Sequence, residues 1–272
     1  MKKAGYVSRT IDDKIVRDGL SALSTLDSFA DKRDLYAVVG GIATQSFLPS
    51  SCRRDTADID VLVGNSLDRG GFLSYTSSVK EYLQDKGFSV EVARKSRSWN
   101  LTVNSPNDET ILLEFSRFSP DAFEKKKNMI ERELENARQK IVEAREDRYR
   151  VVSPEDIAVP KFTRSVIILQ RQPEYESLIT PYTGPMSDEL IRDTLNRNRD
   201  MKSQLLNDPE NLLLYSKCRF LSDIYDIRIL NELTGFNENA LGEVARDWPA
   251  MNYYPEIRDK LVPLLPLLKE VL

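Results

Sequence analysis

Apolar residues at Ile15, Leu20, Leu23, Leu26 and Phe29 recur at mostly helical spacings and stop at the polar Lys32-Arg33-Asp34, which predicts a leading helix. The stretch "LYAVVGG" is short, apolar and β-branched at its middle, the pattern of a buried strand cut off by two glycines. A short helix from about Ile42 to Leu48 follows and ends at Pro49; "ADIDVLV" then reads as a second strand closed by Gly64 and Asn65. Leu73, Val79, Tyr82 and Leu83 share a helical face, with Gly87 at the C-terminal stop. Beyond it "FSVEVAR", "WNLTVNS" and "TILLEFSRF" are rich in β-branched and aromatic residues, and "NSPND" supplies a turn between the last two.

The pattern changes after residue 120. Phe123, Ile130, Leu134, Ala137, Ile141 and Ala144 are spaced 7, 4, 3, 4 and 3 apart amid dense charge, which predicts a long amphipathic helix. The segment "KIVEAREDRYRVV" leaves a second reading open, a short hairpin returning to the sheet. Then "SPEDIAV", "SDELIRDTLNRNRDMKSQLL" and "PENLLLYSKCRFLSDIYDIRILNEL" all read as helices, and the tail "PEIRDKLVPLLPLLKEVL" as a helix broken by two prolines. The order predicts a mixed α/β sheet domain over residues 1–150 and a helical domain over 151–272.

Composition narrows the chemistry. The chain has 272 residues and no apolar run near the roughly 18 that a membrane span needs, and the N-terminal "MKKAGYVSRTIDDK" has no apolar core of a secretory signal. Two distant cysteines without a CxxC suit a reducing compartment, so a cytoplasmic location is expected. There is no histidine, which excludes His-based triads and imidazole-built zinc sites and leaves acid–base work to carboxylates, Lys, Tyr or Cys. Lys and Arg number 39 against 43 Asp and Glu, a net charge of −4, so no global basic field marks a nucleic-acid binder. Arg53, Arg54, Arg94, Lys95 and Arg97, with Trp99, form a local basic set suited to a phosphate-bearing acceptor or to a solvated loop.

The candidate chemistry lies in "YAVVGGIATQSFLPSSCRRDTADIDVLV". Alternation along the second strand puts Asp58 and Asp60 on one face, with the rise between two such positions roughly 6.6–6.8 Å, so both can converge on a hard cation. Gly40 and Gly41 end a strand and open a helix, where bare backbone N–H groups suit a phosphate or simply serve a tight turn. Glu114 in "ILLEFSRF" reaches the same face if its strand pairs beside Ala57–Val63. Three carboxylates around divalent metal suit in-line phosphoryl or nucleotidyl transfer, with Glu114 as general base.

These residues carry a resemblance. The Gly-Gly helix start, the spacer and Asp-x-Asp on the next strand resemble the signature of the nucleotidyltransferase superfamily, the DNA polymerase β-like fold. Arg54-x-Thr56-x-Asp58-Ile59-Asp60, "SPEDIAVPK" at 153–161 and "LSDIYDIRIL" at 221–230 are similar to motifs of its AbiEii/AbiGii-type branch, the toxins of abortive-infection and type IV toxin–antitoxin systems. The resemblance implies a mixed-sheet nucleotidyltransferase fold with a C-terminal helical domain, metal ligands at Asp58, Asp60 and Glu114, and nucleotide contacts at Gly40, Gly41, Thr56 and Lys161. It implies an enzyme that uses Mg²⁺, or Mn²⁺ in its place, to move an NMP from an NTP such as ATP to a hydroxyl of tRNA, protein or a small molecule, with an antitoxin as partner. Two alternatives stand beside it: an aminoglycoside-type nucleotidyltransferase, and a non-catalytic nucleotide-binding module of the same fold. Asp223 and Asp226 read as partners of Lys217 and Arg219 on one helix, or as groups that orient the site.

Overall fold

The computed structural model describes residues 9–28, 35–96 and 98–271, so Phe29 and Arg97 lie outside the described residues. The chain forms two compact units: Met1–Ser46 with Thr56–Ser153, and Phe47–Asp55 with Pro154–Leu272.

The first unit is built on a mixed seven-stranded sheet. In chain order its elements are α1 (Lys14–Leu23), β1 (Tyr36–Val39), α2 (Gly40–Gln45), β2 (Asp58–Val63), α3 (Arg69–Tyr75), α4 (Ser77–Asp85), β3 (Ser89–Arg94), β4 (Ser98–Asn104), β5 (Thr110–Ser116), α5 (Pro120–Glu124), α6 (Lys127–Glu135), β6 (Arg138–Ile141) and β7 (Arg148–Val151). The strand order is β3-β4-β5-β2-β1-β7-β6. The β2–β5 and β1–β7 pairs are parallel and the other pairs antiparallel.

Along β5 buried and half-buried residues alternate strictly, with Ile111, Leu113 and Phe115 inward, as a strand with one covered face requires. That face packs on α1. A methyl group at Gly19 would stand 2.9 Å from Ile59 Cδ1, so the missing side chain lets the helix sit directly on β2. Phe72 of α3 stacks on Trp99 at 5.3 Å and meets Phe115 edge-on at 5.4 Å, filling the same layer.

Two expected elements come out differently. The long helix over 123–144 is in fact α5 and α6 followed by the β6–β7 hairpin, the second of the two readings. Side chains on β6 are mostly exposed and polar, as an edge strand tolerates, so their spacing carries no core information. Ala144, with φ of 60°, sits in the hairpin turn rather than on a helix. The expected third helix divides at Thr76 into α3, capped by Asp68 accepting from Gly71 N–H, and α4.

The second unit is helical: α7 (Pro154–Arg171), α8 (Asp188–Asn207), α9 (Leu212–Thr234), α10 (Glu238–Arg246), α11 (Pro255–Leu261) and α12 (Leu268–Val271). Every residue from Phe220 to Ile227 on α9 is buried, which makes it the central helix of this unit. It packs on α7. Pro160 lies inside α7 without ending it. The residues around it, Ala158, Val159, Lys161 and Phe162, are buried, so tertiary packing holds the turn that the missing N–H leaves unbonded. No helix among the described residues is long and apolar enough to cross a membrane.

Candidate active site

On β2, Ile59, Val61 and Val63 are buried while Asp58 and Asp60 are half-buried, so the two carboxylates occupy the face opposite the α1-covered core. β5 lies parallel beside β2 with Asp60 paired to Glu114 and Asp58 to Leu112. Paired residues of neighbouring strands point the same way, which brings Glu114 onto the face of Asp58 and Asp60. Thr56 donates through its hydroxyl to Asp58 Oδ1 at 3.4 Å, and its backbone is fixed by an antiparallel bridge to Arg9.

On the other side of β2, Val39 pairs with Asp60, so the β1–α2 turn opens directly against that carboxylate. Gly40 has a φ of 70°, and a methyl group there would stand 2.2 Å from Asp60 Oδ2. Both the backbone angle and the space favour glycine. Gly41 follows, buried in the first turn of α2.

Glu114 is engaged. Lys95, in the turn between β3 and β4, donates to Glu114 Oε2 at 3.0 Å. Across from Glu114 on β4 stands Asn100, buried, with its side-chain oxygen lacking a hydrogen-bond partner; two residues earlier the Ser98 hydroxyl is buried and unpartnered too. Nothing in the sequence marks these two, because their significance depends on the strand register.

The donor set fits a hard divalent cation in kind, being carboxylate oxygens alone. Among the described residues, no three Asp, Glu or Cys side chains are yet gathered closely enough to hold one.

The other motif residues lie in the second unit and form a buried ion network. Arg54 donates to both oxygens of Asp226, at 2.7 and 2.5 Å, and Lys161 donates to Asp226 Oδ2 at 2.8 Å. Arg164 grips Asp223 through two hydrogen bonds, with Lys161 3.6 Å from the same carboxylate. Burial by itself would raise the Asp226 pKa, but the charges of Arg54 and Lys161 outweigh it and hold the carboxyl below its ordinary value. Burial lowers the Lys161 pKa against the pull of Asp226 and Asp223. The two aspartates are thus buried and paired across long sequence separations rather than with Lys217 or Arg219; Arg219 bonds the Tyr215 hydroxyl instead.

The basic set of the sequence is divided. Arg94 and Arg117 lie over the Trp99 ring at 5.8 and 5.6 Å, Lys95 is on Glu114, Arg54 is buried on Asp226, and Arg53 donates to the Leu48 carbonyl.

No protein-family model matches the chain, and no curated protein matches it. Solved structures do match in shape. One is an antigenic nucleotidyltransferase-like protein from Paracoccidioides brasiliensis, 16% identical, with 94% of each chain covered and a TM-score of 0.42. Another is the nucleotidyltransferase toxin MenT4 from Mycobacterium tuberculosis, 13% identical, with 92% of this chain and 91% of that chain covered and a TM-score of 0.37.

Proposed function

We propose that the protein is a nucleotidyltransferase that moves an NMP from an NTP to a hydroxyl acceptor and releases pyrophosphate. One observation carries the reading: the left-handed turn at Gly40 is pressed against Asp60, which pairs in register with Glu114. This glycine lies beside a carboxylate on the face that three acids share, not on the face that α1 covers.

In this reading Asp58, Asp60 and Glu114 hold Mg²⁺, with Mn²⁺ as an alternative. The bound cation would neutralise triphosphate charge and polarise the attacking hydroxyl. Gly40 and Gly41 keep side chains out of the volume beside Asp60, so a phosphate can approach the backbone. Thr56 orients Asp58 through its hydroxyl. Glu114 accepts the proton of the attacking hydroxyl, which requires that Lys95 first release its carboxylate. The hydroxyl oxygen forms a bond to the α-phosphorus, and the bond from that phosphorus to the β-phosphate bridge breaks, leaving pyrophosphate. Lys161 belongs to this reading as a nucleotide contact only if it exchanges Asp226 for phosphate.

The motif order supports the AbiEii/AbiGii-type branch, hence a toxin with tRNA or a protein as acceptor, an antitoxin partner and a cytoplasmic place of action. The test is incubation with each α-labelled NTP, Mg²⁺ or Mn²⁺, total tRNA and the protein itself, beside the Asp58→Ala/Asp60→Ala double variant. Label transfer that the double variant abolishes is the expected result. Transfer that persists in the variant sinks the site, and nucleotide binding without transfer to any acceptor favours a non-catalytic module.

A further inference from the structure

Around Asp223 and Asp226 in the helical unit, cations outnumber carboxylates. The buried Arg54 and Lys161 and the half-buried Arg164 and Lys202 face two buried carboxylates, Asp223 and Asp226. Asp226 is taken by Arg54 and Lys161, and Asp223 by Arg164 with Lys161 behind it. Lys202 on α8 is left with a main-chain acceptor, the carbonyl of Asp55, and among the described residues no carboxylate forms an ion pair with it. The Asp55 carboxylate turns instead to Arg199, one helical turn earlier on α8, at 3.4 Å. Cys218 on α9 adds no negative charge, because burial pushes its thiol up and keeps it protonated.

An ammonium has three donors, and a main-chain carbonyl neutralises none of its charge. Drawing a cation partly out of water with its nearest carboxylate turned to another partner is costly, so this cluster has a place for an anion. Its approach is through the exposed Arg199 and the half-buried Lys202 and Asp55, while Arg54 and Lys161 lie deeper. A phosphate group carries the charge and the acceptor oxygens to take the unused Lys202 donors together with a guanidinium.

The geometry points to Lys202, flanked by Arg54 and Arg199, as a binding site for a phosphate group belonging either to a polyphosphate or to a phosphodiester chain. Binding there does not depend on Asp58, Asp60 or Glu114; its use for a triphosphate or an RNA acceptor rests on the nucleotidyl-transfer reading. Burial and the neighbouring Arg54 bring the Lys202 pKa down to about 8, against the weaker pull of Asp55 and Asp226, so the site holds its charge below that pH and loses it above.

The test titrates the full chain with inorganic tripolyphosphate and, separately, with a ten-residue oligouridylate, both in excess EDTA so that no metal-centred binding contributes. Wild type is expected to bind at least one of them. Lys202→Gln should weaken that binding about tenfold or more, the loss of one charge-assisted hydrogen bond. Lys202→Arg should retain it, as should Lys269→Gln, which removes an exposed charge of the same unit. The Asp58→Ala/Asp60→Ala variant should bind as wild type does, which separates this site from the carboxylates. Preference for tripolyphosphate or for the oligonucleotide identifies the source of the phosphate. Wild-type affinity should also fall between pH about 7 and about 9, a readout that needs no variant. Failure of wild type to bind either probe at a concentration on the order of 1 mM, unchanged affinity in Lys202→Gln, or affinity that does not fall with pH would overturn the proposal.

Discussion

At the scale of single residues, Gly40 and Lys95 hold the strongest positions. In Gly40→Ala the new methyl group must displace the Asp60 carboxylate, because 2.2 Å is no contact that atoms can keep, and the backbone must hold a left-handed φ with a side chain. The strain costs about 1–2 kcal/mol, measurable by denaturant unfolding, and the displacement of Asp60 should lower transfer by about 100-fold. A loss of stability with transfer unchanged would mean that Asp60 has no part in the reaction. Lys95→Ala acts in the opposite sense. Its ammonium occupies a Glu114 oxygen that a cation would need in the proposed site, and a part-exposed pair of this kind contributes up to about 1 kcal/mol. Removing it should raise the apparent affinity for the divalent ion by up to about fivefold, read from the metal dependence of labelled NMP transfer; a rise in the metal requirement would mean that Lys95 helps to hold the triphosphate instead.

At the scale of elements, the sequence made the carboxylate face legible because a strand has a period of two. Asp58 and Asp60 had to share a side, and Glu114 needed only the β2–β5 pairing to join them. The mixed sheet and the helical second half were readable for the same reason, since β-branched runs and helical stripes are local signals. The β6–β7 hairpin resisted because an exposed edge strand has no buried side to impose alternation. The ion network resisted because Arg54 and Asp226 are 172 residues apart and only the packing of α9 joins them. Its weight can be measured: Asp226→Ala strands Arg54 and Lys161 in the interior and should destabilise the protein by about 3–5 kcal/mol. The pH dependence has a definite sign. The folded pKa of Asp226 lies below 3.8, so its contribution is complete above the unfolded value and is lost as pH falls through the folded one. Asp226→Asn, which also strands the two cations, should therefore be less stable than wild type at neutral pH and lose less on acidification below about pH 4; parallel stability curves for the two would mean that Asp226 is not charged in the native protein.

At the scale of the molecule, the helical unit is not one continuous piece of chain, because the nine residues Phe47–Asp55 belong to it. That segment supplies the Cys52 carbonyl that accepts from the buried Tyr225 hydroxyl at 2.8 Å, the Arg54 side chain on Asp226, and the Asp55 carbonyl that receives Lys202. A fragment of residues 154–272 alone would carry Asp226 with one cation of its pair gone, a buried hydroxyl without an acceptor and the half-buried Lys202 ammonium without its carbonyl. The unsatisfied hydroxyl costs about 1–3 kcal/mol and the broken ion pair about 3–5 kcal/mol, a large share of the 5–15 kcal/mol that holds a typical domain together. The fragment should therefore melt without a cooperative transition by circular dichroism. The same fragment with residues 47–55 joined to its N-terminus by a flexible Gly/Ser linker should recover one, since the linker adds only a slowly growing closure entropy. Equal melting of the two fragments would show that the segment is a passenger; recovery on linking would make it a structural part of the helical unit, contributed from between two elements of the sheet.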